Sequence, residues 1–211
     1  MGMYIGAAII AYFIGSINFS IIISKKIAGF DVREKGSKNA GTTNMLRTVG
    51  KKAATVVLIC DILKGVIAIL LAKIITQDVN QALGVQIAAF CVVLGHTFPI
   101  FFEFKGGKGV ATSIGVLFMI NWEIGLICLI YGIIIIALTR FVSLGSISAA
   151  ILFPVLTLFV SEHYIASGAG YTIFGIVMAV FILINHRENI KRLNSGTENR
   201  ISFGKKAEEN T

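Results

Sequence analysis

The sequence is short of charge, proline and tryptophan. Of its 211 residues only 14% are charged, two are proline and one is tryptophan. Soluble domains carry about 25% charged residues, so the composition argues against an ordinary soluble protein. The three cysteines, Cys60, Cys91 and Cys128, form no CxxC or metal-type spacing, and each lies in an apolar stretch. We therefore expect buried thiols without a redox or metal role.

Apolar residues take the place of the missing charge. They make up 55% of the chain, and the mean hydropathy is +0.83. Several stretches approach the roughly 20 residues that a helix needs to cross a bilayer. The sequence therefore predicts an all-α integral membrane protein with seven transmembrane helices, the fourth of them short. The predicted spans are residues 3–24, 53–76, 82–104, 110–121, 122–139, 146–160 and 167–185. A six-helix version, with residues 110–121 as a re-entrant segment, remains open.

Basic residues mark one side of the predicted bundle. They crowd the loop after the first span, follow the third and fifth spans and recur in the tail, whereas the alternate loops carry Asp78, Glu123 and Glu162. Because cytoplasmic loops are enriched in lysine and arginine, we predict the N-terminus outside and the C-terminus in the cytoplasm. No basic residue precedes the first span, which predicts a retained helix rather than a signal peptide. The net charge of +8 would also attract anionic lipid headgroups.

Three polar islands interrupt the apolar chain on the predicted cytoplasmic side. They are GSKNAGTTNMLR (36–47), GHTFPIFFEFKGGKGVAT (95–112) and NHRENIKRLNSGTE (185–198). The first combines small residues, which let the backbone present its N–H groups, with hydroxyl and amide donors. Such a composition suits an oxyanion. An ordinary polar loop has a similar composition, so the first island alone is ambiguous.

The second island places Lys108 between two glycines, immediately before a predicted helix. Free N–H groups at a helix N-terminus bind phosphate, and a lysine adds positive charge. The GxxxxGK[ST] spacing of a P-loop is absent, so we expect anion binding without a nucleotide. Upstream, His96 is predicted toward the middle of the third span, where a structural role is favoured over that of a base.

Other polar residues would serve either the fold or the chemistry. In the third island, His186 and Asn189 would share a face if the last helix continues. A histidine there would bind phosphate, move a proton or only cap the membrane surface. Asp61 and Lys64 lie about halfway along the second span, where a bracing ion pair is favoured over a substrate contact. A bundle with three oxyanion-binding loops predicts phosphate-bearing substrates, at least one of them lipid-like.

The motifs resemble those of a known family. GSINFS, DVREKGSKNAGTTNMLRTVGKKAA and DILKG are followed by LGHTFPIFFEFKGGKGVATSIG, RFVSLGSI and NHRENIKRLNSGTE. In content and order they are similar to the bacterial membrane glycerol-3-phosphate acyltransferases that use acyl phosphate, the PlsY family. The resemblance implies one polytopic acyltransferase domain over residues 1–203 and a polar cytoplasmic tail at 204–211. It also implies seven transmembrane helices in the bacterial inner membrane, with the active site on the cytoplasmic face.

The implied reaction transfers a fatty acyl group from acyl phosphate to the 1-hydroxyl of sn-glycerol 3-phosphate. Its products are lysophosphatidic acid and inorganic phosphate, in the first committed acylation of phospholipid synthesis. The resemblance implies no metal, no cofactor and no direct use of acyl-carrier protein. Expected partners are the two substrates, membrane lipids and the soluble enzyme that makes acyl phosphate, and no nucleic acid. No histidine is followed by aspartate four or five residues later, so the HxxxxD pair of another acyltransferase superfamily is missing.

The same resemblance implies the site residues, position by position. The implied catalytic residues are Ser37, Arg47, Lys108, His186 and Asn189. Further implied phosphate contacts are Asn39, Gly41, Thr42, Asn44, Gly106, Gly107 and Ser143. Asn18 and Thr42 stand where the family often has proline and alanine, and neither departure touches a catalytic position.

Acyl phosphate is already activated, so the enzyme would mainly position two anions and stabilise charge on the carbonyl oxygen. Arg47 and Lys108 would offset the repulsion between the substrates. In one mechanism a substrate phosphate oxygen accepts the hydroxyl proton, while His186 and Asn189 orient the nucleophile and the leaving group. In the other, His186 is the general base.

Two rival functions belong to other classes. A transporter of phosphorylated metabolites needs a site near the midplane of the membrane, where only Asp61, Lys64 and His96 are candidates. A headgroup phosphotransferase would need clustered aspartates for a metal, and the sequence offers isolated ones.

Overall fold

The computed structural model describes residues 1–159 and 168–201. These residues form ten α-helices and two short 3₁₀ turns, with no β-strand among them. The first five helices are α1 (Gly2–Ser16), α2 (Phe19–Ala28), α3 (Thr42–Thr48), α4 (Lys51–Ile75) and α5 (Gln81–Thr97). The others are α6 (Val110–Ile120), α7 (Trp122–Thr139), α8 (Val142–Thr157), α9 (Gly168–Asn185) and α10 (Arg187–Asn194). The predicted all-α class is confirmed for this part of the chain.

Four helical segments are long and apolar enough to cross a bilayer. They are Gly2–Ala28, Lys51–Ile75, Gln81–Phe102 and Trp122–Thr139, and the bent pair α9–α10 makes a fifth if it is counted as one span. Helices α6 and α8 are apolar but shorter, with 11 and 16 residues. The described residues thus form a helical bundle with four or five candidate spans. Seven spans and the direction of the chain across the membrane stay predictions.

The first predicted span is interrupted by a break in the helix. Asn18 has extended backbone angles (φ −95°, ψ 97°) and separates α1 from α2. Its side chain accepts a hydrogen bond from the Ile21 amide at 3.2 Å and so caps α2. The predicted single helix over residues 3–24 is therefore wrong in detail, because a capping asparagine at this position favours a new helix start.

The α-helix of the third predicted span ends early. Helix α5 stops at Thr97, seven residues before the predicted boundary at 104, and Pro99 follows with the 3₁₀ turn Ile100–Phe102. Proline disfavours helical backbone in the residue before it, which explains the stop. His96 consequently lies in the last turn of α5 and not toward the middle of a span.

The remaining boundaries shift less. Helix α8 begins at Val142, four residues before the predicted start, and takes Ser143 into its first turn. The last helix does not continue through the third island, since α9 and α10 meet at an angle of 64°. His186 and Asn189 therefore do not share a face of one continuous helix, as they would if the last helix continued. The predicted boundaries at 160 and 167, the acidic Glu162 and the tail 204–211 lie outside the described residues.

Glycines allow two helix pairs to pack closely. A Cβ atom added at Gly15 or Gly95 would overlap the backbone of the facing helix in the α1–α5 pair. The same is true of Gly65 and Gly115 in the α4–α6 pair. Such small-residue contacts bring helix backbones together in membrane proteins. They fix α5 and α6, and with them the connecting segment 98–109, against α1 and α4.

The three polar islands meet at one end of the bundle. We name it the basic end and define it by residues 29–50, 98–109 and 186–201. Arg33 joins the first two segments, because its Nη1 donates to the carbonyl oxygens of Phe102 and Lys105 at 2.9 and 3.2 Å. Arg47 joins the first and third, through a hydrogen bond from Nη2 to the Asn199 carbonyl oxygen at 3.3 Å. The islands therefore converge in space as predicted.

Candidate active site

Lys108 is held at the start of α6 by a turn of glycines. Gly109 adopts φ +86°, a left-handed conformation that favours glycine, and precedes the first residue of α6. The amides of Gly106 and Gly107 donate to the last carbonyl oxygens of α5 at 2.9 and 3.1 Å. The turn is thereby fastened to α5 on one side and to α6 on the other. The first N–H groups of α6 have no partner within the helix, and together with Lys108 they form a positive N-terminus.

A chain of hydrogen bonds runs from Lys108 to a carboxylate. Lys108 Nζ donates to Asn189 Oδ1, and Asn189 Nδ2 donates to Glu198 Oε1 at 2.8 Å. Ser143 Oγ donates to the same carboxylate oxygen at 3.0 Å, and Arg192 Nε donates to Oε2 at 2.8 Å. Glu198 therefore collects donors from α8 and from α10. We name these five residues, together with Arg47, the lysine cluster.

Cations outnumber carboxylates in the lysine cluster. Burial lowers the pKa of Lys108 to about 8, and the charges of Arg192 and Arg47 act in the same direction against Glu198. Burial alone would raise the pKa of Glu198, but hydrogen bonds from Asn189, Arg192 and Ser143 hold that pKa below its ordinary value. Glu198 is therefore ionised at neutral pH. Three cations against one carboxylate leave an excess of positive charge that an anion would neutralise.

His186 lies at the bend between α9 and α10 and is 2% exposed. Its Nδ1 is 2.8 Å from the Ile182 carbonyl oxygen. Because a carbonyl oxygen only accepts, Nδ1 carries the proton and Nε2 is left as an acceptor. Burial, followed by the nearby charge of Lys108, lowers the pKa of His186 to about 4. His186 is therefore neutral at pH 7 and a weak proton acceptor.

Asn44 orders the loop that precedes α3. Its Nδ2 donates to the carbonyl oxygens of Val32 and Lys35 at 2.9 and 3.0 Å. Its Oδ1 accepts a hydrogen bond from the Ser37 amide at 2.9 Å. These bonds engage both ends of a side chain that is only 1% exposed. In this structure Asn44 holds the loop, and a phosphate contact by its side chain stays a prediction.

The rest of the first island adjoins the lysine cluster without a hydrogen bond to it among the described residues. Ser37 is exposed, and Asn39 and Gly41 follow it in the same loop. Thr42 opens α3, with its hydroxyl buried and without a hydrogen-bond partner in this part of the chain. The loop approaches the glycine turn at Gly107, where an added Cβ would lie 2.7 Å from the Ala40 carbonyl oxygen.

Of the implied site residues, the structure brings together Lys108, Asn189 and Ser143. Arg47 is near enough for the charge of Glu198 to act on the pKa of Arg47. Arg47 also donates a hydrogen bond to the carbonyl oxygen of Asn199, the residue after Glu198. His186 is near enough for the charge of Lys108 to act on its pKa. Sequence reasoning missed Glu198 as a site residue and treated Arg192 only as part of the basic tail. A usable signal existed, because Glu198 closes the third island as an acidic residue that follows a basic run.

An apolar cavity begins beside the lysine cluster and runs between α6, α7, α8 and α9. Its near end is lined by Val110, two residues after Lys108, and by Ile182, whose carbonyl oxygen contacts the His186 ring. Phe153 and Phe174 line its far end. With a rise of about 1.5 Å per residue, the stretch of α9 from 174 to 182 spans about 12 Å. The cavity has the shape and composition to receive an apolar chain whose polar head lies in the cluster.

Known proteins are similar to this chain over nearly its whole length. A family model described as Glycerol-3-phosphate acyltransferase matches residues 5–196. A glycerol-3-phosphate acyltransferase of Clostridioides difficile (strain 630) is 41% identical over 204 residues, which cover 94% of this chain and 95% of the relative. Another, from Thermoanaerobacter sp. (strain X514), is 44% identical over 201 residues, which cover 95% and 96%.

Two crystal structures of PlsY, an integral membrane glycerol 3-phosphate acyltransferase, have a similar fold. The glycerol 3-phosphate form matches with a TM-score of 0.84 at 38% identity, over 94% of this chain and 96% of that one. The lysophosphatidic acid form matches with a TM-score of 0.81 at 36% identity, over 94% and 95%.

Proposed function

This chain belongs to the glycerol-3-phosphate acyltransferase family, and we propose that it transfers a fatty acyl group from acyl phosphate to the 1-hydroxyl of sn-glycerol 3-phosphate. The products would be lysophosphatidic acid and inorganic phosphate. The observation that carries the proposal is the excess of positive charge at the near end of an apolar cavity. We further propose seven transmembrane helices, with the basic end and the active site in the cytoplasm.

The acyl phosphate binds across the boundary between the cavity and the lysine cluster. Its acyl chain lies among α6–α9, and its phosphate meets Lys108 and the first N–H groups of α6. The support is positional, since Val110 lines the cavity and is two residues from Lys108. An apolar chain gains about 0.8 kcal/mol for each buried methylene group, which favours the cavity over water.

Glycerol 3-phosphate supplies the second anion. Its phosphate binds between Arg47 and Arg192, whose charges act on the same cluster. Two phosphate groups held close together repel each other strongly, and the three cations of the cluster offset that repulsion. Ser37 on the adjoining loop and Thr42 at the start of α3 add hydroxyl donors.

The chemical step needs positioning more than activation. The 1-hydroxyl oxygen attacks the acyl carbonyl carbon, the new ester bond forms, and the bond from that carbon to the phosphate oxygen breaks. The hydroxyl proton passes to a phosphate oxygen, and inorganic phosphate leaves. Lys108 stabilises the negative charge that develops in this step. Holding both reactants in contact supplies a further large part of the rate enhancement.

His186 orients the nucleophile in this mechanism. Its Nε2 is available as an acceptor, so it would receive a hydrogen bond from the hydroxyl group. A pKa of about 4 makes His186 a weak base at pH 7, which favours the substrate phosphate as the proton acceptor. Asn189 holds Lys108 by accepting from its Nζ.

The test is phosphate release by the purified protein in detergent and EDTA. Palmitoyl phosphate is supplied with and without glycerol 3-phosphate, and lysophosphatidic acid is identified by mass spectrometry. We expect release that depends on glycerol 3-phosphate, together with a loss of about 10²–10³-fold in kcat/KM for Lys108→Ala. Lys105→Ala is the matched control, because Lys105 is in the same segment but 74% exposed, and it should stay within twofold.

Two outcomes would contradict the proposal. Release that is independent of glycerol 3-phosphate would indicate a phosphatase. No release from a folded sample, with uptake of glycerol 3-phosphate into liposomes, would indicate the transporter.

A further inference from the structure

A second charged cluster lies inside the bundle and is not used by the proposed reaction. Lys64 Nζ is 2.8 Å from Asp61 Oδ1 and donates to the carbonyl oxygens of Gly15 and Ile17 at 3.1 and 3.0 Å. These two carbonyl groups lie at the break between α1 and α2, where helical partners are missing. The pair predicted from the sequence therefore forms, and it braces the broken first span.

His96 connects this pair to the glycine turn. Its Nδ1 lies 3.5 Å from Asp61 Oδ1, a distance at which the attraction is electrostatic rather than a full hydrogen bond. On the other edge of the ring, a Cβ added at Gly107 would overlap His96 Nε2. The Gly107 amide also donates to the His96 carbonyl oxygen at 3.1 Å. His96 thus contacts Gly107 through both its ring and its backbone.

Packing alone does not account for these residues. Asp61, Lys64 and His96 are each 3% exposed or less. Buried charged and polar groups cost free energy that apolar side chains of similar volume would not. The contacts run from Lys64 through Asp61 to His96 and reach Gly107, the residue before Lys108. This series of contacts is placed to fix the position of Lys108.

We propose that His96, held by the Asp61–Lys64 pair, is a positioning residue that sets the direction of the Lys108 side chain. The ring limits where Gly107 lies, and Gly107 precedes Lys108. The proposal rests on the proposed function, because its readout is the use of the two phosphate-bearing substrates. Errors of about 1 Å in the placement of a reacting group lower rates by up to about 100-fold, so the effect is measurable.

The first test compares Michaelis constants. His96→Ala removes the ring and keeps the backbone hydrogen bond, while Lys108→Arg displaces the positive charge without removing it, so we expect turnover to stay measurable. We expect His96→Ala to raise KM about tenfold for the same substrate that Lys108→Arg affects, and to leave the other KM within twofold. A role in stability alone would reduce the yield of folded enzyme without changing either KM.

The second test is a double-mutant cycle with the same readout. If His96 acts through Lys108, His96→Ala/Lys108→Arg should be within twofold of Lys108→Arg alone in kcat/KM. Lys73→Met provides the control cycle, because Lys73 Nζ donates to the Met119 carbonyl oxygen at 2.8 Å near the start of the loop between α6 and α7. Lys73→Met should leave both KM values within twofold, and its effect on kcat/KM should multiply with that of Lys108→Arg.

The outcomes separate the two proposals. An active wild-type enzyme with multiplicative effects of His96→Ala and Lys108→Arg, or with unchanged KM values, would overturn the role of His96 only. If His96→Ala cannot be purified, His96→Leu fills the volume without the ring nitrogens and enters the same cycle, with the same criteria. An inactive but folded wild type would instead reject the proposed function.

Discussion

Two charge clusters of this protein, one buried inside the bundle and one half-buried at the basic end, differ in their balance. Inside the bundle, one aspartate faces one lysine, Asp61 and Lys64. In the lysine cluster, the one carboxylate, that of Glu198, faces Arg192, Lys108 and Arg47. A balanced pair is complete without a ligand, whereas an excess of cations is relieved when an anion binds. The sum of charges, together with the degree of burial, therefore distinguishes a structural ion pair from a candidate binding site.

The largest expected effect is on the balanced pair. Asp61→Asn leaves the Lys64 charge buried without a counter-ion, which should lower the free energy of unfolding by about 3–5 kcal/mol. Thermal unfolding in detergent measures this loss. The double variant Asp61→Asn/Lys64→Met removes both charges and should recover most of it. Equal destabilisation by the single and double variants would show that charge balance is not what matters at this site.

Glu198 provides the matching test at the basic end. Glu198→Gln weakens three charge-assisted contacts and should cost about 1–3 kcal/mol of stability. The variant has a larger excess of positive charge, so added inorganic phosphate should raise its Tm more than that of the wild type. Phosphate should leave the Tm deficit of Asp61→Asn unchanged. A similar response of both variants to phosphate would remove the proposed distinction between the clusters.

A third prediction concerns pH. The pKa of Lys108 lies below its ordinary value, at about 8, so its charge is present below pH 8 and lost above it. Since kcat/KM reports the free enzyme, it should fall about tenfold per pH unit above 8. A bound phosphate favours the charged lysine, so kcat should persist to higher pH. Constant kcat/KM up to pH 9.5 would contradict the assignment of Lys108 as a charged phosphate ligand.

The smallest expected effect concerns the cavity, which contains no charged residue in its lining. Phe153 closes the far end together with Phe174, with ring centroids 6.1 Å apart. Phe153→Ala should lengthen the cavity and shift the kcat/KM ratio of stearoyl to myristoyl phosphate upward, by about tenfold at most. Phe13→Ala is the control, because Phe13 is an exposed aromatic residue on α1. An unchanged ratio would place the acyl chain elsewhere.

Patterns within one segment were readable from the sequence. Apolar run lengths predicted the main helices, and the spacing of three residues predicted the Asp61–Lys64 pair. The glycines around Lys108 predicted a turn before a helix, and Gly109 has the left-handed backbone that such a turn requires. These features depend on the backbone and side-chain preferences of residues that are close together in the sequence.

Features that join distant segments were not readable in the same way. Glu198 takes its partners from α8 and α10, at sequence separations of up to 55 residues, and no local pattern indicates that meeting. The contact of His96 with Gly107 depends on the early end of α5, which the apolar run concealed. The break at Asn18 was missed because an apolar sequence continues on both sides of it.

The order in which a ribosome makes the chain adds a further consequence of the Glu198 contacts. The Asp61–Lys64 pair and the two carbonyl oxygens that Lys64 binds have been synthesised once α4 is complete, since they come from α4, from the end of α1 and from the break that follows it. The lysine cluster, in contrast, needs residue 198 before Arg192 has its counter-ion and Asn189 its hydrogen-bond acceptor. Because chains fold from the N-terminal side as they are made, the Asp61–Lys64 pair is available early and the proposed active site is completed late. A partly made chain in the membrane would therefore be stabilised before it is able to bind substrate.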